Sequence, residues 1–310
     1  MKKVLVTGTF DLIHSGHRRL LHDARLKGDF LTVVIARDVT VRRVKGYAPY
    51  FTQAERVKNM RALRLADRII PGGSGDKLSV IESERPDIIC LGYDQFAFTD
   101  DLKKKLATRG LHPRITRARR FSAGGFRTGG LHAAGLVALH RLNPSIKIEP
   151  RYATARNFTG KQLYQNRIIL GRSHVATMVK KAQAILQRQG YGLKIWDCYR
   201  PLSAQKILWR HLPDERYVGN PKKGPVHTRG TGVDCTLVDR NGRELPMPTH
   251  YDEFSDRAHR QHPAHPTPRE RHALILEKAM IRAGFEALPT EWWHFSDPHW
   301  KKYPVLDIAI

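Results

Sequence analysis

Apolar and polar positions over residues 1–116 fall into short alternating segments. "KKVLVTG" is near-continuously apolar and predicts a strand, whereas "HSGHRRLLHDARLKG" spaces Leu20, Leu21 and Ala24 along one helical face. The same rhythm then repeats. "FLTVVIA", "ADRIIPG", "DIICLGYD" and "PRITRA" read as strands, and "TQAERVKNMRALRLA", "DKLSVIESERP" and "TDDLKKKLATRG" as helices between them. Strands without a polar face need cover on both sides, so this alternation predicts an α/β domain built on a parallel sheet.

The rhythm stops at "RARRFSAGGFRTGGLHAAG", which is rich in Arg and Gly and lacks periodicity. Residues 117–140 are therefore expected to be a basic, flexible linker. A mixed α+β pattern occupies 141–310. "SHVATMVKKAQAILQRQG", "SAQKILWRHL" and "PRERHALILEKAMIRAG" read as helices, and "YGLKIWDCYR", "GVDCTLVD" and "EWWHFSD" as strands. No internal repeat is apparent, so two different folds are expected in one chain.

Composition narrows the functional classes. No apolar run approaches the roughly 20 residues of a membrane helix. The short apolar start ends quickly at Asp11 and His14, which favours a first strand over a secretion signal. Three scattered cysteines make neither a disulfide framework nor a thiolate metal site, and with the other features they predict a reduced, cytoplasmic protein. The formal charge of +25 divides evenly, with 25 Lys+Arg against 13 Asp+Glu in residues 1–120 and 29 against 16 in the rest. So diffuse an excess, without a recognisable motif, argues against specific nucleic-acid binding.

Candidate chemistry concentrates near the C-terminal end. "EWWHF" sets Glu291 three residues before His294, and "GPVHTRGTGVDCTLVD" sets His227 seven before Asp234. Two histidines and an aspartate on separate elements suit a zinc site with one open position. Glu291 then serves as a non-ligand base, and Arg200 in "WDCYRP" as a fixed cation for a developing oxyanion. In an extended strand, Glu291 and His294 would point to opposite faces, so a twist, bulge or strand end must reconcile them. Taken singly, each of the 16 histidines is an ordinary surface or core residue, and the Trp292–Trp293 pair is core packing.

From about residue 150, the ordered pieces "YATARNFTGK", "GYGLKIWDCYRP", "HTRGTGVDCTL", "YDEFSDRAH" and "GFEALPTEWWHF" resemble the VanX-type D-alanyl-D-alanine dipeptidases, zinc peptidases of family M15. The resemblance implies zinc ligands at His227, Asp234 and His294, the base at Glu291 and the carbonyl-polarising arginine at Arg200. It puts Asp252 at the substrate's free amino group, with Tyr152 also at the substrate. Pro225 and Val226 stand where the family commonly has a serine ahead of the first metal histidine. The implied activity is cleavage of D-Ala-D-Ala in peptidoglycan precursor turnover or glycopeptide resistance. The alternative is a D,D-carboxypeptidase acting on longer peptides.

In the first half, "TGTFDLIHSGHRRLL" places a glycine turn after a strand and two histidines at a helix start, a setting that favours phosphate. With "ARDVTVRRVKGYAP", "FTQAERVKNMRAL" and "LGYDQ", it resembles cytidylyltransferase-like nucleotidyltransferases of Rossmann-like fold, most of all archaeal-type FAD synthases and glycerol-3-phosphate cytidylyltransferases. That resemblance implies a nucleotide site at Gly8, Thr9, Phe10, His14, His17, Lys45 and Asp94, with CTP or ATP and Mg²⁺. The family's Ser/Thr-rich motif is replaced here by "RARRFSAGGFRTGG", which leaves a degenerate nucleotide-binding module as the alternative. In the blandest reading, the two histidines only cap a helix.

Overall fold

The computed structural model describes residues 1–76, 78–93, 95, 99, 101–119 and 128–310. The chain divides into two compact units, Met1–Thr128 and Gly129–Ile310.

The first unit follows the predicted alternation: β1 (Lys3–Gly8), α1 (Ser15–Arg25), β2 (Phe30–Ile35), α2 (Asp38–Lys45), α3 (Gln53–Ala62), β3 (Arg68–Pro71), α4 (Ser79–Glu84), β4 (Ile88–Leu91), α5 (Leu102–Ala107) and β5 (Arg114–Arg117). The strands lie in the order β3-β2-β1-β4-β5, and every pairing is parallel. Strand alternation feeds two cores. Val4, Val6, Leu31 and Val33 pack with Leu21, Val57 and Met60 from α1 and α3. Leu5, Val34 and Ile89 pack with Ile81, Leu102 and Leu106 from α4 and α5. Helix α2 is an addition to the expected elements; it ends at Gly46, whose φ of +76° halts a helix.

A polar residue fastens the strand ends together. Arg56 on α3 is completely buried and donates to the carbonyls of Phe51 (3.1 Å), Thr9 (2.5 Å) and Ala36 (2.7 Å) and to Asp38 (2.6 Å). It thereby joins the loop after β1, the end of β2 and the start of α2, three segments that border the cleft described below.

The second unit includes α6 (Thr128–Ala133) from Gly129 onward, then β6 (Leu136–Ala138), β7 (Lys147–Ile148), β8 (Leu170–Arg172), α7 (Ser173–Gln187), β9 (Gly192–Asp197), α8 (Leu202–His211), β10 (Gly232–Val238), α9 (Pro268–Ala283), β11 (Glu286–Ala287) and β12 (His294–Ser296). Residues 129–140, expected as linker, belong to this unit, because β6 pairs antiparallel with β8. The main sheet runs β11-β12-β10-β9-β7. One face is the core, where Leu193, Ile195, Val233, Cys235, Leu237 and Phe295 pack with residues of α7 and α9 such as Val179, Leu186, Leu276 and Met280. The opposite face is left for chemistry. "EWWHFSD" departs from the expected strand: its ordered strand begins only at His294, and residues 291–294 form a turn in which His294 N donates to Glu291 O at 3.3 Å.

Replacing Arg56 with Ala leaves several carbonyls without a donor. The expected cost is about 3 kcal/mol, read as an unfolding transition at lower urea by far-UV circular dichroism. An unchanged transition would show that the arginine merely fills space.

Candidate active site

Sheet register assembles the second unit's site. Asp234 on β10 stands directly opposite His294 on β12, so their side chains are cross-strand neighbours on the face away from the core. On its other side, Asp234 pairs with Asp197 at the end of β9, and Cys235 pairs with Ile195. That step passes over Trp196 and forms a bulge. The bulge turns Asp197, which by simple alternation would follow Leu193 and Ile195 into the core, toward Asp234.

His227 arrives from a 3-10 turn, Val226–Arg229, just ahead of β10. The approach demands glycine at 232, since a Cβ there would come within 2.8 Å of Val226 and 3.1 Å of the His227 ring. His227 Nε2 lies 3.2 Å from His294 Nδ1 and 3.3 Å from Asp234 Oδ2, and His294 Nδ1 lies 2.9 Å from Asp234 Oδ1. These are the separations, about 3.3 Å, that neighbouring ligands show across a tetrahedral ion with bonds of about 2 Å. Outer partners orient both rings. His227 Nδ1 meets the Cys198 carbonyl at 2.8 Å, so it carries the proton and leaves the Nε2 lone pair able to ligate an ion, while His294 Nε2 meets Ser296 Oγ at 3.0 Å. Tyr251 donates to Asp234 Oδ2 at 2.9 Å. Burial alone would raise the Asp234 carboxyl, but His227 and His294 outweigh it and hold it below the usual range. The donor set fits a borderline metal ion such as zinc.

The turn resolves the strand-parity problem of Glu291. It brings Glu291 Oε2 to 4.0 Å from His294 Nδ1, beside the triad but outside it. Burial, then the charges of Asp234 and Asp252, push the Glu291 carboxyl well above the ordinary range. Trp292 and Trp293, both 1% exposed, fill the core beneath the turn, so the tryptophan pair is packing. Arg200 lies on the same side. Asp197 Oδ2 accepts from its Nε (2.9 Å) and Nη2 (2.7 Å), Gln205 accepts from Nη1 (2.8 Å), and the guanidinium lies over the Tyr152 ring at 4.8 Å. Burial opposes its charge, but Asp197 and the neighbouring tyrosines keep it protonated. The Tyr152 hydroxyl donates to both oxygens of Asp252, at 3.3 and 3.2 Å. Asp252 occupies the left-handed region at φ +60°, a strained backbone for a non-glycine residue. Burial, followed by the charge of Asp234, pushes its carboxyl up to about 8.

His227, Asp234, His294, Glu291, Arg200, Asp252 and Tyr152 are thus linked through these contacts. Sequence reasoning missed Asp197, Tyr164, Gln205, Tyr251 and Ser296. Asp197 holds Arg200 and also accepts from Tyr164 at 3.1 Å. Its one sequence signal was acid–base spacing within "WDCYR", three residues before Arg200.

The first unit has a cavity of about 530 Å³ lined by Gly8, Thr9, Phe10, His17 and Lys45, among others. It lies at the carboxyl ends of β1 and β4, where the strand order reverses, the usual ligand crevice of an open α/β sheet. Glycine is required at 8, because a Cβ there would lie 2.6 Å from the Phe10 ring. His14 caps α1 by accepting from Gly16 N at 3.1 Å, and it also stacks on His17 with ring centroids 3.8 Å apart. Burial, with His14 and Lys45 nearby, pushes the His17 imidazole well below its ordinary range. Arg117 donates to the carbonyls of Gly92 and Gln95 at 2.8 Å each. Asp94 lies outside the described residues.

Known proteins supply the family context. The D-alanyl-D-alanine dipeptidase of Escherichia coli (strain K12) is 40% identical over 171 residues, covering 55% of this chain and 89% of that protein. The FAD synthase of Thermoplasma acidophilum is 39% identical over 137 residues, covering 44% of this chain and 92% of that protein. The FAD synthase of Ferroglobus placidus is 40% identical over 119 residues, covering 38% and 77%. Residues 132–305 match the D-ala-D-ala dipeptidase family (peptidase M15), and residues 5–190 match the cytidylyltransferase-like family, so the two matches overlap in the second unit. The chain is an enzyme that belongs to both families.

Proposed function

We propose that the second unit hydrolyses free D-alanyl-D-alanine to two D-alanines, with zinc held by His227, Asp234 and His294. The observation that carries this reading is a base and an acid flanking one triad: Glu291 is 4.0 Å from His294, and Asp252 is paired with Tyr152. A bound zinc ion supplies Lewis acidity, polarising the scissile carbonyl and acidifying water. Glu291, its basicity raised by burial, takes the proton of the attacking water and passes it to the leaving amine as the C–N bond breaks. Arg200, immobilised by Asp197 and Gln205, stabilises the negative charge that develops on the carbonyl oxygen. Asp252 and Tyr152 receive the substrate's free ammonium, which selects short peptides with an unblocked end. This role places the protein in the cytoplasm, in peptidoglycan precursor turnover or glycopeptide resistance. Among the described residues, no helix is long and apolar enough to cross a membrane.

For the first unit, we propose nucleotidyl transfer from CTP or ATP to a phosphate-bearing acceptor. The cavity beside His17 and Lys45 supports it. His14 and His17 would stabilise charge on the transferring phosphorus, and Lys45 would neutralise the triphosphate. Magnesium enters this reading only as the triphosphate's companion ion. Among the described residues, the one compact cluster of metal-ligating side chains is the triad of the second unit.

Glu291→Gln is expected to lower kcat for D-Ala-D-Ala by about 10³-fold, at the scale of a lost general base, with zinc content unchanged by elemental analysis. Zinc lost together with activity would make Glu291 a ligand instead. Hydrolysis of the free dipeptide is expected to exceed that of its N-acetyl form by at least about 10²-fold, because acylation removes the ammonium that Asp252 pairs. Preference for the acetylated form would favour a D,D-carboxypeptidase. The full chain is expected to release pyrophosphate from CTP or ATP when offered FMN or glycerol 3-phosphate, with His17→Ala slower by about 10²-fold or more. Silence with every pair would leave the first unit a binding module.

A further inference from the structure

We propose that Arg260 is a positioning residue for hydrolysis in the second unit: it clamps both ends of the loop that carries Glu291 and so fixes where that carboxylate stands against the triad. This role rests on the reading of Glu291 as general base. The loop is the reversal from β11 to β12, closed where Leu288 N donates to His294 O at 3.2 Å. Two further bonds inside it are long, from Glu291 N to Leu288 O at 3.4 Å and from His294 N to Glu291 O at 3.3 Å. Bonds of that length are at the weak end of the range and leave a short loop room to shift.

Arg260 supplies the firmer restraint. Its Nε donates to Leu288 O and its Nη2 to His294 O, both at 2.9 Å, so one edge of the guanidinium spans the two ends of the loop. Arg260 N also donates to Pro289 O at 2.9 Å, and Trp292 N to Ala258 O at 3.0 Å, which lays residues 258–260 along the loop. The remaining nitrogen, Nη1, faces Glu277 Oε2 on α9 at 3.5 Å, and the guanidinium covers the Phe295 ring at 4.5 Å. The side chain is 5% exposed. So buried a cation is tolerated only with close partners, and here two of them are the loop's own carbonyls. Lysine would keep the charge beside Glu277 but has no planar fork to meet both carbonyls at once. Glu291 lies between the clamped ends, 4.0 Å from His294. His294 has a second hold in its pairing with Asp234, whereas Glu291 lies outside any strand and depends on the clamp. A reacting group displaced by about 1 Å loses on the order of 10²-fold in rate.

The test is a double-mutant cycle with Glu291→Gln, read by steady-state hydrolysis of D-Ala-D-Ala and by zinc content of the full chain. Arg260→Lys is expected to lower kcat by about 10- to 10²-fold, with KM within about twofold of the parent and zinc content unchanged. In the Glu291→Gln background the same substitution is expected to change kcat by less than about twofold, because a residue that acts only through Glu291 has nothing left to position. A parental kcat in Arg260→Lys overturns the role. So do zinc lost together with activity, a change in KM alone, or equal losses in the two backgrounds, which mark a general structural effect. Should Arg260→Lys not fold, Arg260→Gln, which keeps one amide donor, goes through the same cycle under the same criteria. A parental rate in Glu291→Gln removes the general base and this role with it, whereas a slow Glu291→Gln beside a fully active Arg260→Lys removes this role alone.

Discussion

Asp234 is a carboxylate at 2% exposure in the middle of a five-stranded sheet, and the second unit is organised around the need to compensate it. A charge taken out of water is tolerated only with partners at close range. Here the partners are two imidazoles, a tyrosine hydroxyl and, at 3.7 Å, the Arg200 guanidinium. Around it gather three further carboxyl groups, on Asp197, Asp252 and Glu291. The nearby fixed cations are Arg200 and Arg260. Acids exceed bases in this pocket while the protein as a whole carries +25. A local excess of negative charge in low dielectric draws a dication, and with burial it also raises the basicity of Glu291 and Asp252, neither of which belongs to the triad. In the function proposed above, metal affinity and general-base strength thus come from the same crowding of acids.

The two faces of that sheet divide the labour. The apolar face packs against α7 and α9 and is braced at the Glu291 turn by Trp292 and Trp293, so the polar face is presented on a rigid base. Rigidity matters because the triad atoms are separated by about 3 Å, and a small shift of one strand would break the set. In the first unit the arrangement differs. Its sheet is apolar on both faces, so chemistry is confined to the loops at the strand ends, and Arg56 secures those loops from below.

Much of this was legible in the chain. Strand and helix alternation in the first 116 residues followed from apolar runs that must be covered on both sides, and the parallel five-stranded sheet agrees with it. The gathering of His227, Asp234, His294 and Glu291 was foreseen from residue types and ordered motifs. Less visible were α2, whose short polar sequence carries little periodicity, and the contribution of residues 129–140 to the second unit. That segment looked like a linker because a three-residue strand has too few positions to show a pattern. The supporting residues, Asp197 and Ser296 above all, were invisible because an ordinary acid or hydroxyl gains meaning only from what stands across from it.

Local chemistry, then, was set by the linear order of side chains: which groups can bind a metal, which can move a proton, which segments are apolar enough to be buried. Their meeting was decided elsewhere. The bulge at Trp196 that turns Asp197 toward Asp234, the pairing that sets Asp234 opposite His294, and the turn that brings Glu291 beside that histidine are properties of strand register and chain reversal. Register depends on how whole elements pack, because a slip of one residue carries every side chain to the other face of the sheet.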